Sequence, residues 1–185
     1  MYTWFLARLK SDAFCGQPQT ADTRIIDQYS TTVGVNKVDE ERINRKMQSV
    51  NGSLRCLITT NAFGMGIDCP DIDVVIHWGC PPTVTRYWQE VGRAGRDGRS
   101  CKGLCYATPI SMAKTDKDMK EIVKGGQCLR LGTLHSLSVP GMDMSKYEAL
   151  KKREKCDKQC VTGCQCVLCT CCTICKNQCP CRELV

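Results

Sequence analysis

Three features of the sequence carry side chains suited to chemistry: a pair of closely spaced arginines, a glycine-rich loop and a dense set of thiols. In Gln89-Glu90-Val91-Gly92-Arg93-Ala94-Gly95-Arg96-Asp97-Gly98, Gln89, Arg93 and Arg96 stand at i, i+4 and i+7, a spacing that predicts one stripe of a helix with Val91 and Ala94 turned toward a sheet. Two guanidiniums so placed make a fork for phosphate oxygens, because each donates two parallel hydrogen bonds. The alternative is a solvated basic face. Against it stand the glycines, each of which costs about 1 kcal/mol relative to Ala inside a helix unless packing or function requires it. The loop Thr59-Thr60-Asn61-Ala62-Phe63-Gly64-Met65-Gly66-Ile67-Asp68 follows an apolar run, where the carboxyl end of a strand would gather a ligand. Gly64 and Gly66 permit positive φ and close approach of backbone to a phosphate, with a plain tight turn as the alternative.

The chain has 17 cysteines among its 185 residues, and ten of them fall between Cys156 and Cys181. The segment from Met1 to Lys10 lacks the basic start and small-residue cleavage site of an export signal. Secretion is not expected, so the thiols read as metal ligands kept reduced in cytosol or nucleus rather than as disulfides. No apolar run is long enough to cross a bilayer. The formal charge is +7, and it is unevenly spread. Residues 1–108 carry 13 basic and 11 acidic side chains, residues 109–185 carry 13 and 8. The C-terminal surplus, with Lys151, Lys152, Arg153 and Lys155 clustered, suits a polyanion such as nucleic acid, although a solvated basic surface reads the same way.

The elements that must position these groups alternate. Ile25–Tyr29, Leu54–Thr59, Ile72–Trp78 and Gly103–Ala107 read as β-strands between helical stretches, the pattern of a parallel sheet with covering helices. Asn36 is placed to cap a helix starting at Lys37 with Val38, Ile43 and Met47 on its apolar side, and Thr83 to cap one running to about Ala94. Trp4–Leu9 is helix-like. Beyond Pro109 the β pattern gives way to helical stretches at Met112–Val123, Cys128–Leu137 and Lys146–Lys155, followed by the cysteine-rich tail. His77 reads as a strand-end histidine satisfied locally, and Tyr87 and Trp88 as packing residues.

The segments Thr60–Asp68 and Gln89–Gly98 together resemble motifs V and VI of superfamily 2 helicases in their RecQ form, and Val75-Ile76-His77-Trp78-Gly79-Cys80-Pro81 resembles the strand between them. The resemblance covers about Arg24 to Tyr106 and implies an α/β fold: a RecA-like parallel sheet with flanking helices, the second motor lobe of an ATP-dependent 3′-to-5′ DNA helicase. It implies that Arg93 and Arg96 are catalytic arginine fingers for the γ-phosphate. Gln89, Gly92 and Asp68 would bind nucleotide, and Thr60, Gly64 and Gly66 would couple it to the DNA backbone. ATP with Mg²⁺, DNA and a first RecA-like lobe are the implied partners, and the nucleus is the implied compartment.

The chain contains no Gly-Lys-Ser or Gly-Lys-Thr, so the phosphate-cradling loop of a first lobe is not in it. On this reading residues 1–108 are the second lobe, clipped at its N-terminus, and 109–185 a small α-helical, cysteine-rich zinc module. RecQ proteins often place one helical cysteine before a Cys-X2-Cys-X2-Cys cluster, which implies Cys128, Cys169, Cys172 and Cys175 as Zn²⁺ ligands. Cys166-X2-Cys169 and Cys156-X3-Cys160-X3-Cys164 offer rival ligands. Two other functions remain open at this point: a non-enzymatic DNA-binding remnant of a helicase, and a metal-buffering tail.

Overall fold

A computed structural model describes residues 1–30, 37–49, 52–60, 69, 71–143, 145 and 167–179. In chain order they form α1 (Tyr2–Leu9), a 3₁₀ turn (Lys10–Ala13), β1 (Ile26–Tyr29), α2 (Lys37–Gln48), β2 (Cys56–Thr59), β3 (Val74–Trp78), α3 (Val84–Val91), β4 (Lys102–Tyr106), α4 (Pro109–Ala113), α5 (Lys117–Lys124), α6 (Leu129–Ser136), α7 (Val167–Cys171) and α8 (Thr173–Asn177). Among the described residues the strands form two pairs, β1 with β2 and β3 with β4. The chain is a mixed α/β protein with parallel strands and a C-terminal cluster of cysteines. It divides into two compact units, Met1–Val75 with Gly92–Gly103 and Ile76–Val91 with Leu104–Val185.

In the first unit β1 and β2 run parallel, with Ile26 opposite Cys56 and Tyr29 opposite Thr59. Their carboxyl ends therefore lie side by side, at Tyr29 and Thr59. α2 begins with Asp39 and Glu40 and ends with Arg45 and Lys46, a distribution that complements the helix dipole at both ends. Ile43 is buried with Tyr29 and Cys69, and Met47, Leu57 and Ile72 pack against them. Val38, expected on the same apolar side, is 73% exposed. It stands at the second residue of the helix, ahead of the turns that meet the core.

The polar side of α2 is fixed as firmly as the apolar one. The Arg42 guanidinium donates to Asp27 at 2.5 Å, to Ala21 O at 2.9 Å and to Asp39 at 3.1 Å. Lys46 Nζ donates to Arg24 O at 2.7 Å and Ala21 O at 3.2 Å. Burying these cations is tolerable because their donors are satisfied.

In the second unit the Thr83 hydroxyl accepts from Arg86 N at 3.2 Å, the expected cap for α3. Thr108 and Ser111 form a reciprocal capping box on α4, and Asp116 caps α5 by accepting from Met119 N at 2.8 Å. Met119 is 1% exposed, and α5 packs on α6. The helical stretch 146–155 lies outside the described residues.

A glycine-held arginine turn, a carboxylate network and a cysteine centre

The arginine segment is a turn rather than a continued helix. α3 ends at Val91, so the stripe expected to carry Gln89, Arg93 and Arg96 on one helix is not formed: Gln89 lies exposed on α3, and Arg93 and Arg96 follow in turns. The glycines account for the difference. Gly95 and Gly98 adopt φ of +68° and +84°, the left-handed region in which side chains with a Cβ are strained. A Cβ on Gly95 would lie 2.8 Å from both Arg99 O and the Cys101 sulfur.

Within the first unit, Gly95 N donates to Ile72 O at 3.1 Å and Gly98 N to Gly95 O at 3.0 Å, tying the turn to the residues before β3. Ala94 is buried, Arg93 half-buried and Arg96 exposed. Asp97 accepts from the backbone N–H of Arg99 at 3.1 Å and from its guanidinium, which also lies 3.4 Å from Asp73. The Arg99 hydrogen bonds hold the Asp97 carboxyl below its usual range. Arg96 Nε donates to Gly92 O at 3.5 Å.

Of the residues expected to couple nucleotide to DNA, Thr60 closes the β1–β2 pair, its N–H donating to Tyr29 O at 3.1 Å, and its side chain is exposed. Gly64, Gly66 and Asp68 lie outside the described residues.

In the second unit, His77 Nε2 lies 2.7 Å from Glu90, whose other oxygen accepts from Arg86 Nε at 3.1 Å. The bond from His77, aided by Arg86 and opposed by burial, holds the Glu90 carboxyl below the usual carboxylate range. The Tyr87 ring stands 5.4 Å from the imidazole, whereas Trp88 is 43% exposed rather than packed. The i, i+4 spacing of Arg86 and Glu90 is the one sequence signal for this network.

The sulfurs of Cys128, Cys171, Cys172 and Cys175 all lie within 4.8 Å of one another. Cys128 and Cys171 are 3.6 Å apart, close to the separation of about 3.8 Å that a tetrahedral Zn²⁺ with Zn–S bonds of ~2.3 Å requires. The set differs by one member from that expected: Cys171 joins the group and Cys169 is not in it. The cause is local. α7 stops at Cys171 and Cys172 is extended, with φ −159° and ψ 169°, before α8 begins. This break puts the last residue of one helix beside the cap of the next, which a regular Cys-X2-Cys-X2-Cys repeat does not anticipate. Cys172 Sγ accepts from Cys175 N at 3.5 Å. Burial, followed by hydrogen bonds that the Cys175 thiol makes with Cys128 and Cys172, pushes that thiol up; were all four sulfurs thiolates, a cation would be required to offset their charge. The donor set suits a soft or borderline metal such as Zn²⁺.

Residues 14–98 match the family model described as Helicase conserved C-terminal domain. The segment is 47% identical over 73 residues to the ATP-dependent DNA helicase hus2/rqh1 of Schizosaccharomyces pombe, covering 40% of this chain and 5% of that protein. It is 46% identical over 76 residues to the ATP-dependent DNA helicase Q4 of Homo sapiens, covering 41% of this chain and 6% of that protein. The chain contains a helicase C-terminal domain related to those of RecQ-family DNA helicases.

This helicase domain includes β1 through α3 and the arginine turn, while the cysteine centre lies beyond it. A longer alignment, 31% identical over 122 residues, joins 61% of the chain to 18% of a Caenorhabditis elegans protein named as an ATP-dependent DNA helicase Q1. The chain thus spans a small part, 5% to 18%, of these relatives. Among solved structures, the C-terminal domain of the DEAD-box protein Dbp5 aligns at a TM-score of 0.43 and 21% identity, covering 60% of this chain and 58% of that one.

Proposed function

We propose that residues 1–108 are the second motor lobe of a RecQ-like 3′-to-5′ DNA helicase and residues 109–185 a helical zinc module that follows it. The reading is carried by one observation: the helicase match over residues 14–98 contains both chemistry-bearing segments, Thr60–Asp68 and Gln89–Gly98. In this role Arg93 and Arg96 stabilise charge on the γ-phosphate of ATP·Mg²⁺ as it departs. Gln89, Gly92 and Asp68 contact the nucleotide, and Thr60, Gly64 and Gly66 transmit its state to the DNA backbone. Gly95 supports the reading by fixing the turn through its hydrogen bond to Ile72, because a fork for a transferring phosphoryl group must be rigid.

Cys128, Cys171, Cys172 and Cys175 would hold the Zn²⁺. Four thiolates leave no open coordination position, so the ion's contribution is to folding. Such a motor lobe works on DNA in the nucleus, against a first lobe that supplies the phosphate loop.

The chain by itself should show no DNA-stimulated ATP hydrolysis, because it lacks the P-loop lysine. Fusion to the ATP-binding first lobe of a RecQ relative should restore turnover. Hydrolysis by the unfused chain, or a fusion that binds ATP and DNA yet stays inert, would contradict the proposal.

A further inference from the structure

We infer that α5 presents a lysine-lined groove that binds the phosphates of a nucleic-acid strand. The inference deepens the motor-lobe reading, on which it rests, by assigning a contact outside the motif loops. Lys117, Lys120 and Lys124 stand at i, i+3 and i+7 and thus share one side of the helix. Met119, on the other side, is 1% exposed, and Ile122 faces α6 so closely that a Cβ on Gly132 would meet its Cγ1 at 3.3 Å. The apolar side fixes the helix, leaving Lys117 and Lys124 exposed and Lys120 half-buried along the opposite side.

The three lysines line a groove of 390 Å³ with Glu121, Gly125 and Gln127. Glu121 is its one acidic member and is 3.7 Å from Lys117. Neither Lys120 nor Lys124 makes an ion pair among the described residues. Asp116 is committed to the cap of α5, and Asp118 lies off the lysine stripe.

The groove is shaped by backbone as well as by charge. Gly125 closes α5 by donating to Glu121 O at 2.7 Å, and a Cβ on Gly125 would lie 2.4 Å from that oxygen. Gly126 then turns away at φ +64°, leaving the end of the groove free of side chain at both positions. At 1.5 Å per residue the lysines span ~10 Å, about the rise of three nucleotides along one strand of a duplex. Three ammoniums on that spacing suit a repeating monoanion, and phosphate contacts of this kind hold a strand without reading its sequence.

The test is binding of a fluorescent single-stranded oligonucleotide by the zinc-loaded full chain, measured by anisotropy across a salt series. Lys117→Gln, Lys120→Gln and Lys124→Gln are combined in one variant. Its control is Arg8→Gln, Lys37→Gln and Arg55→Gln, which removes the same charge from exposed positions in the other unit. Loss of three contacts at ~0.7 each should lower the salt slope by about 2, with affinity falling tenfold or more at low salt, while the control keeps the wild-type slope. Equal loss in both variants, or equal binding by the groove variant and wild type, would overturn the groove and leave the motor-lobe reading standing. Displacement of the strand by poly-glutamate at equal charge would assign the groove to acidic protein and overturn it too. A wild-type chain that binds no oligonucleotide at any salt would overturn both.

Discussion

Around Ile43 the chain is held by apolar side chains and matched charges, and around Cys175 by a cluster of sulfurs. Ile43 is 1% exposed, in contact with Tyr29 and Cys69, and the charges beside it are matched within the chain, Arg42 by Asp27 and Asp39. Cys175 is 4% exposed, but its neighbours are three other sulfurs, and α7 and α8 are five residues each. Helices that short do not form on propensity alone. The difference teaches that one part of the molecule derives its stability from burial while the other, on the proposed reading, would draw it from a bound metal. It follows that the two should fail separately.

The largest expected effect lies in the cysteine centre. Cys172→Ser or Cys175→Ser should abolish zinc binding, read by elemental analysis, and unfold the helices around the site, read by circular dichroism. Metal binding in small all-protein sites supplies on the order of 10 kcal/mol. Met1–Val75 with Gly92–Gly103 forms a compact unit that does not contain this centre, so a protease-resistant fragment from that unit should survive. Collapse of that fragment together with the metal would break the comparison.

Next in size is Ile43→Ala, expected to cost about 2–5 kcal/mol through the cavity it leaves among Tyr29, Cys69 and Met47. Urea unfolding should show the loss while zinc stoichiometry stays at the wild-type value. A variant that releases zinc in proportion to its destabilisation would show that the two regions are coupled.

Glu90→Gln should give a smaller effect, about 1.5–3 kcal/mol at pH 7, because hydrogen bonds to a charged group are worth that much. The sign of the pH dependence follows from the depressed carboxyl. Its stabilisation is fully present above the ordinary Glu value of ~4.3 and is lost as pH falls through the lower folded value. The gap between wild type and variant in unfolding midpoint should therefore narrow as pH drops through that range. A gap independent of pH would assign the loss to packing alone.

Least in size is the reactivity of Cys105. Burial pushes its thiol up to about 11, so the thiolate fraction at pH 8 is small. Iodoacetamide at that pH should label exposed Cys101 well before Cys105, read by peptide mass spectrometry. Equal rates would remove the burial argument.

What was legible in the sequence followed from local rules. Thr83 marked a helix start because a cap acts within one turn; the cap expected at Asn36 lies outside the described residues, though α2 does begin at Lys37, and Ile43 and Met47 marked the core because their spacing matches the helical period. The apolar runs before Thr59 and Trp78 gave β2 and β3. Val38 misled, since the helical period alone does not say which turns of α2 meet the core. The helix expected to reach about Ala94 ends at Val91 because Gly92 follows and Gly95 takes φ +68°, outside the helical region, although Val91 and Ala94 continue the helical pattern. Cys171 was missed for a related reason: spacing rules assume a continuous turn, and the extended Cys172 interrupts it. In the last two cases a backbone departure of one or two residues redirected the chemistry.

The arginine turn is where the motor-lobe reading is most exposed to disproof. In the fusion that carries an ATP-binding first lobe, steady-state DNA-stimulated ATP hydrolysis should be compared between wild type and Arg96→Ala, with ATP binding measured in parallel. An arginine that acts on the departing phosphoryl group should, when removed, lower kcat by roughly 10³-fold or more while nucleotide still binds. A near-wild-type kcat would return Arg96 to an ordinary exposed cation and contradict the assignment.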